Sequence, residues 1–388
     1  MTGFFKNDAT FSVLFPSFQF FSIIIFMTKK SRLITPICIA FIIVYIIFAA
    51  KPLSKEIQLS PEWTLDTEIE AVPDAEEKSK FDYSATVPFK LGQTLGYVSA
   101  DGKLFNKISF PYKATVSQNS YAVYGTASDK IDFFAPDGEK TGTIFQTGFP
   151  YFTEEKKCIF LPGGSAFEVL NDDGSKRWLY EGSTPVIAFS ASKSGVISGF
   201  ADGNVIAFNN DGEIIQQYKP GGSAYEVIYG AAISDSARYA ATLSGQENQR
   251  FVVSEKFSKE TGSNSSIIFY KTMNKELNRQ VVVKFTRDEK KVYYASADGV
   301  GLVNLKSLKD TMIPIKGRVL SMKESDDGRE MFILSKENGT YTVSVVEGFG
   351  VLAGSFSFEA SSACIAAKDG SLFVGRDTKI SKIKIGHN

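Results

Sequence analysis

The sequence predicts an all-β repeat protein, a β-propeller of four-stranded blades, and three observations carry that expectation. Asp-Gly turns recur at Asp101-Gly102, Asp137-Gly138, Asp173-Gly174 and Asp211-Gly212, at spacings of 36, 36 and 38 residues. A second series of turn residues, Gly92, Ser128, Gly164 and Asp202, precedes those aspartates by nine residues each time. The composition agrees: 33 Phe, 16 Tyr and 32 Gly in 388 residues suit aromatic-rich strands cut by tight turns.

The N-terminal elements come first. Residues 1–26 are rich in Phe, from Phe4 and Phe5 to Phe26, and end in a short apolar run. Met27 then opens MTKKSR, an ordinary start for a membrane anchor. Residues 1–26 therefore read as a non-native upstream extension or, if translated, as an extra hydrophobic segment. Within 27–50, Lys29, Lys30 and Arg32 form a cytoplasmic basic flank before LITPICIAFIIVYIIFAA, an uncharged run at 33–50. As a helix, 18 residues reach about 27 Å, close to the thickness of a bilayer core. Pro36 stands near its start, where a helix tolerates proline. Cleavage as a signal peptide is disfavoured, because Ile47 or Phe48 would occupy the small-residue position three before the cut. The expectation is a single-pass transmembrane helix in the inner (cytoplasmic) membrane, with the N-terminus cytoplasmic and everything after Lys51 extracytoplasmic or periplasmic. Residues 51–82, with Glu68, Glu70, Asp74, Glu76 and Glu77, read as a polar acidic linker.

The repeat domain is expected over 83–388. Asp-Gly favours type I′ hairpin turns, because both central residues need positive φ. Nine residues hold one strand of about six with turn residues at both ends, so each pair of marks brackets one strand. Beyond residue 256 the same beat returns as Asp298 with Ser307, Asn338 with Glu347, and Asp377 with Gly386. Counting one unmarked turn near Gly245, the mean period from Gly92 to Asp377 is about 41 residues, that of a four-stranded propeller blade. Strands are predicted at 121–125, 196–200, 205–208, 239–243, 281–285, 292–295 and 331–334. Seven turn positions, from Ser128 to Asp377, have room for two preceding strands, which favours seven blades. The unit around Gly92 has less room, and the last unit lacks an outer strand. An N-terminal strand would close the ring, and eight blades result if the linker supplies strands.

The sequence NDDGSKRW at 171–178 carries a small residue, Asp-Gly and then Trp178. On that pattern and the period, 83–388 resembles the WD40-like and quinoprotein-like propeller repeats. The Gly-His and Trp-Asp marks of WD40 blades are absent, and the chain has one His. Other blades are expected to put Phe, Ile or Tyr where a docking Trp would stand. The resemblance implies a fold and no particular activity. Some quinoprotein-like propellers assist outer-membrane protein assembly, and this chain is similar to them in general design.

No catalytic, cofactor or metal site residues are predicted. The one histidine, His387, rules out a Ser-His-Asp or Cys-His set, and CxxC, HxxxH and HExxH are missing. NDDG and NNDG lack the alternating ligands of a calcium loop. Gly163-Gly164 and Gly221-Gly222 each precede a strand and read as turns rather than phosphate cradles. Trp178 reads as packing rather than a stacking platform. Cys158 and Cys364 fall in separate repeats and read as free, buried thiols. With 43 Lys+Arg against 43 Asp+Glu, no surplus of cations points to nucleic acid. The polar stretch at 256–266 reads as a solvated loop, with a recognition loop as the functional alternative. The sequence thus predicts a membrane-tethered protein-interaction or scaffold module with a protein or cell-envelope component as partner, and leaves open whether it is an enzyme. A quinone-cofactor enzyme, or a small-ligand or glycan sensor using the channel, is the alternative.

Overall fold

The computed structural model describes residues 36, 38–45, 57–69, 83–257 and 265–387. The chain divides into two compact units, 1–55 and 56–388. In the first, residues 36 and 38–45 are helical and exposed. Among the described residues no helix is long and apolar enough to cross a membrane. The expected membrane helix thus finds no support there, and the rest of the run 33–50 lies outside the described residues, as does the Met27 start.

The second unit is a ring of eight antiparallel sheets, seven of four strands and one of three. Successive blades occupy 86–109, 113–144, 149–181, 186–218, 225–272, 283–313, 318–359 and 363–387, the last completed by the strand Ile57–Asp66. In a full blade the first strand lines the central channel and the fourth lies outermost. The upper face below is the one where first strands turn into second and third into fourth. The lower face carries the second-to-third turns and the connectors between blades.

The favoured count of seven blades is corrected to eight, for two reasons. Blade 1 forms a sheet of its own, Thr86–Leu91, Thr94–Ser99 and Leu104–Ser109. By direction these are second to fourth strands: the Thr86 carbonyl meets Gln118 and Lys368 at the upper face, and Gly92 turns beside Phe110 at the lower. Residues 51–82 also supply a strand. Ile57, Leu59, Trp63 and Leu65 point their apolar side chains to the core along Ile57–Asp66. That strand pairs antiparallel with Lys379–His387, from Ile57↔His387 to Asp66↔Lys379, and closes the ring.

The turn marks fall where the nine-residue beat put them. Ser128, Gly164, Asp202, Gly245, Asp298, Asn338 and Asp377 lie at or beside second-to-third turns, and the Asp-Gly pairs turn third strands into fourth. Between blades the core is aromatic: Tyr97, Phe105, Phe133, Phe167, Phe208, Phe251, Tyr294, Phe332 and Phe373 are all fully buried. Phe251 of blade 5 stacks on Tyr294 of blade 6 at 3.8 Å between centroids. Offset aromatic stacking adds to the area each ring removes from water.

The outer strands of blades 8, 1, 2, 3 and 4 also latch onto the next blade's turn. The Trp178 indole N–H donates to the Asn210 carbonyl at 3.1 Å and its ring covers Gly212. Trp63 repeats this on blade 1, donating to the Ala100 carbonyl at 3.2 Å over Gly102. Asn106 Nδ2 donates to the Pro136 carbonyl at 2.8 Å. At Gly142 the absence of a side chain lets the Thr143 N–H reach the Asp173 carbonyl. Gln216 bonds the Ala237 and Arg238 carbonyls. The expectation of Phe, Ile or Tyr at these positions is therefore replaced, between blades 1 and 5, by Asn106, Gly142 and Gln216. The site sits between a neighbour's polar turn and the sheet edge, so a hydrogen-bonding group or bare backbone fits it.

Candidate functional site

The central channel opens at two mouths of different chemistry, because first strands carry different residues at their two ends. The upper mouth holds a cavity of about 440 Å³. Its rim is a closed circuit of bonds between neighbouring blades. Lys368 and Gln118 both donate to the Thr86 carbonyl, joining blades 8, 1 and 2. The Phe152 N–H donates to Thr115 Oγ1 at 3.0 Å, and Lys156 to the Lys193 carbonyl at 3.1 Å. Lys193 faces Asp235 at 3.7 Å, and Ser236 Oγ donates to Glu289 at 2.6 Å. The Arg287 N–H donates to Glu324 at 2.8 Å while its guanidinium meets Asp326 at 3.3 Å. The Asp369 N–H completes the circuit on Asp326 at 2.6 Å.

Inside this rim, Lys284 and Lys323, from the first strands of blades 6 and 7, line the cavity with Arg287 and Glu154. A smaller adjoining space brings Glu324 and Lys368 to the same group. Lys323 Nζ lies 3.9 Å from Glu154. Burial holds the Lys284 amine below the usual lysine range, and the neighbouring Lys323 charge adds to this. Burial likewise raises the Glu324 carboxyl, opposed by the Arg287 N–H.

The lower mouth is aromatic. A second cavity of about 360 Å³ is lined by Tyr151, Phe160, Phe189, Tyr229, Val281 and their neighbours. Phe160 and Phe189 meet edge to face at 5.0 Å, and Tyr151 lies 5.8 Å from Phe189. Gln280 reaches from the connector before blade 6 to the Ile187 carbonyl of blade 4. On the lower face, at connectors and strand ends of blades 2 to 5, Tyr112, Phe145, Phe149 and Tyr225, with Tyr270 on the outermost strand of blade 5, are between 41% and 77% exposed. Lys113 lies over Phe149 at 4.6 Å and Arg250 over Tyr270 at 5.4 Å. Large aromatics grouped on one exposed face mark contact surfaces, since single scattered ones suffice for an ordinary monomer surface.

The residues weighed from sequence fall elsewhere. Cys158 is buried and free in blade 3, Cys364 is half-buried and free in blade 8, and they do not meet. Trp178 packs between blades 3 and 4. Gly163-Gly164 and Gly221-Gly222 are turns of positive φ. Among the described residues no group of three His, Cys, Asp or Glu is placed to hold a metal ion. Residues 258–264 of the proposed recognition loop lie outside the described residues. Neither mouth was foreseen: Lys284, Lys323 and Glu154 come from three blades, and only the ring brings them together.

With the geometry established, three comparisons bear on kinship. A protein of Treponema pallidum (strain Nichols), described as uncharacterized, is 26% identical over 349 residues, covering 89% of this chain and 92% of that one. The crystal structure of BamB from Moraxella catarrhalis matches with a TM-score of 0.56 at 11% identity, covering 84% of this chain and 100% of that one. At that identity the likeness concerns the fold alone. A family model described as beta-propeller protein matches residues 25–387, so the chain belongs to the β-propeller protein family.

Proposed function

We infer that this propeller is a protein-interaction module held on the extracytoplasmic side of the inner membrane by the apolar segment 33–50. The observation that carries the reading is the aromatic arc of the lower face. Tyr112, Phe145, Phe149, Tyr225 and Tyr270 expose large rings on that face, on a scaffold whose own core is already filled. Rigid aromatics bury much area on binding and lose little side-chain entropy, which is why they anchor protein contacts. The tether rests on the uncharged run and on Lys29, Lys30 and Arg32 before it.

The test is photo-crosslinking in native membranes followed by mass spectrometry. A photoreactive residue at position 112, 145 or 270 is expected to capture one protein, and the same residue at exposed Lys176 is not. Capture from all four positions alike, or from none, overturns the reading. Protease added to cells with a permeabilised outer envelope tests the orientation: it is expected to digest the chain beyond residue 51 with the inner membrane intact.

A further inference from the structure

We propose that the upper mouth is a second, separate binding site, one that takes the carboxylate of a small ligand with an apolar body, held by Lys284 and Lys323. Four observations converge on it. The cavity, about 440 Å³, is far larger than a water site and opens to solvent. Its cations are unequally satisfied. Arg287 is bound to Asp326 through its guanidinium, Lys368 to the Thr86 carbonyl, and Lys323 stands beside Glu154. The Lys284 amine has no hydrogen bond or ion pair among the described residues, although it stands within the field of Lys323, Glu154, Glu324 and Arg287.

A half-buried amine without a protein partner is poorly compensated for the water it has lost, and a bound anion supplies that partner. The acids of the mouth are engaged elsewhere: Glu324 takes the Arg287 N–H, Asp326 the Arg287 guanidinium, and Asp235 faces Lys193. Glu155 stands exposed at the rim. The charges lining the two joined spaces are equal in number, Lys284, Arg287, Lys323 and Lys368 against Glu154, Glu155, Asp235 and Glu324, so the case for an anion rests on the amine of Lys284, which has no partner of its own. A single amine without a partner is met by a single negative charge, which suits a monocarboxylate better than a phosphate of about two charges. The ligand's apolar body follows from the channel wall. Leu320 and Tyr151, on first strands of blades 7 and 3, line the same cavity and are 36% and 41% exposed, Tyr151 standing in the wall between this cavity and the lower one. The circuit of rim bonds holds these walls in place, so little ordering accompanies binding.

The experiment is equilibrium dialysis of the full chain with radiolabelled 4-phenylbutyrate, against its neutral amide. One phenylbutyrate is expected to bind per chain, with the amide at least tenfold weaker. Lys284→Met and Lys323→Met are each expected to weaken binding at least tenfold, and Lys176→Met on the outer strand of blade 3 to leave it unchanged. Affinity is expected to fall as pH rises into the alkaline range, when Lys284 loses its proton. Circular dichroism checks that each variant is folded, and the amide comparison on the unaltered chain decides the matter if a variant is not. Absence of saturable binding overturns the proposal. So does equal binding of the amide, equal competition by inorganic phosphate, or undiminished binding to folded Lys284→Met.

Discussion

Two single residues show how local chemistry serves the ring. Gly102 sits at φ +89°, and a Cβ there would stand 2.9 Å from the Trp63 ring. Gly102→Ala thus combines backbone strain with a clash, and is expected to cost about 2 kcal/mol in chemical denaturation. Trp63→Phe keeps most of the ring but loses the hydrogen bond to the Ala100 carbonyl, and is expected to cost about 1 kcal/mol. Gly370, by contrast, has φ +65° but nothing near its missing Cβ. Gly370→Ala should therefore lose less than Gly102→Ala. Cys158 offers a different check. Burial pushes its thiol up to about 12, so the thiolate is scarce at neutral pH. Iodoacetamide at pH 8 is expected to leave Cys158 unmodified in the native chain and to alkylate it in denaturant, as read by peptide mass spectrometry.

At the scale of the element, the strand Ile57–Asp66 matters most. It covers the edge of Lys379–His387 and carries the Trp63 latch. A chain beginning at residue 56 is expected to keep the melting temperature of the full domain, and one beginning at residue 67 to melt at least 10 °C lower and to aggregate; scanning calorimetry with light scattering measures both. An uncovered edge strand invites pairing with another chain. The same strand shows what could be read from the sequence. Strands such as Tyr121–Tyr124, Val205–Asn209 and Glu330–Glu337 were legible, because alternation and flanking turns are local signals. Ile57–Asp66 was not, although its residues alternate apolar and polar, because Pro61 argues against a strand and the ladder slips between Pro61 and Trp63. Its partner strand also lies at the far end of the chain. The candidate sites were less legible still. Lys284 and Lys323 look like ordinary strand lysines until the blades close and turn them into one channel.

At the scale of the molecule, a closed ring and an open stack respond differently to loss of a terminal unit. In an open solenoid, stability is nearly a sum of neighbour terms, so removing the last repeat removes one interface. Here blade 8 contacts both blade 7 and blade 1: Val374 and Ile365 pack with Phe332 and Leu334, while Phe373 and Ile380 pack with Val87 and Phe89. Ending the chain at residue 360 would break both contacts and strand Ile57–Asp66 without a sheet. The truncated protein is expected to be insoluble, or to melt far below the full domain. A soluble monomer with nearly unchanged melting would instead mean that the ring gains little from closure. The division between a cationic upper mouth and an aromatic lower one also belongs to this scale, since each draws on strand ends from several blades.

The pairing of Ile57 with His387 has a consequence for synthesis. The first strand of the domain to leave the ribosome is one of the last to find its place. Blades 2 to 7 draw all their strands from neighbouring sequence and can form as they emerge, whereas blade 8 must wait for residue 387. Contacts so distant along a chain are entropically late and slow folding. During that wait Ile57, Leu59, Trp63 and Leu65 have no core of their own. A nascent chain stalled just short of its last strand would display them, which makes this short segment the natural place for a chaperone to hold.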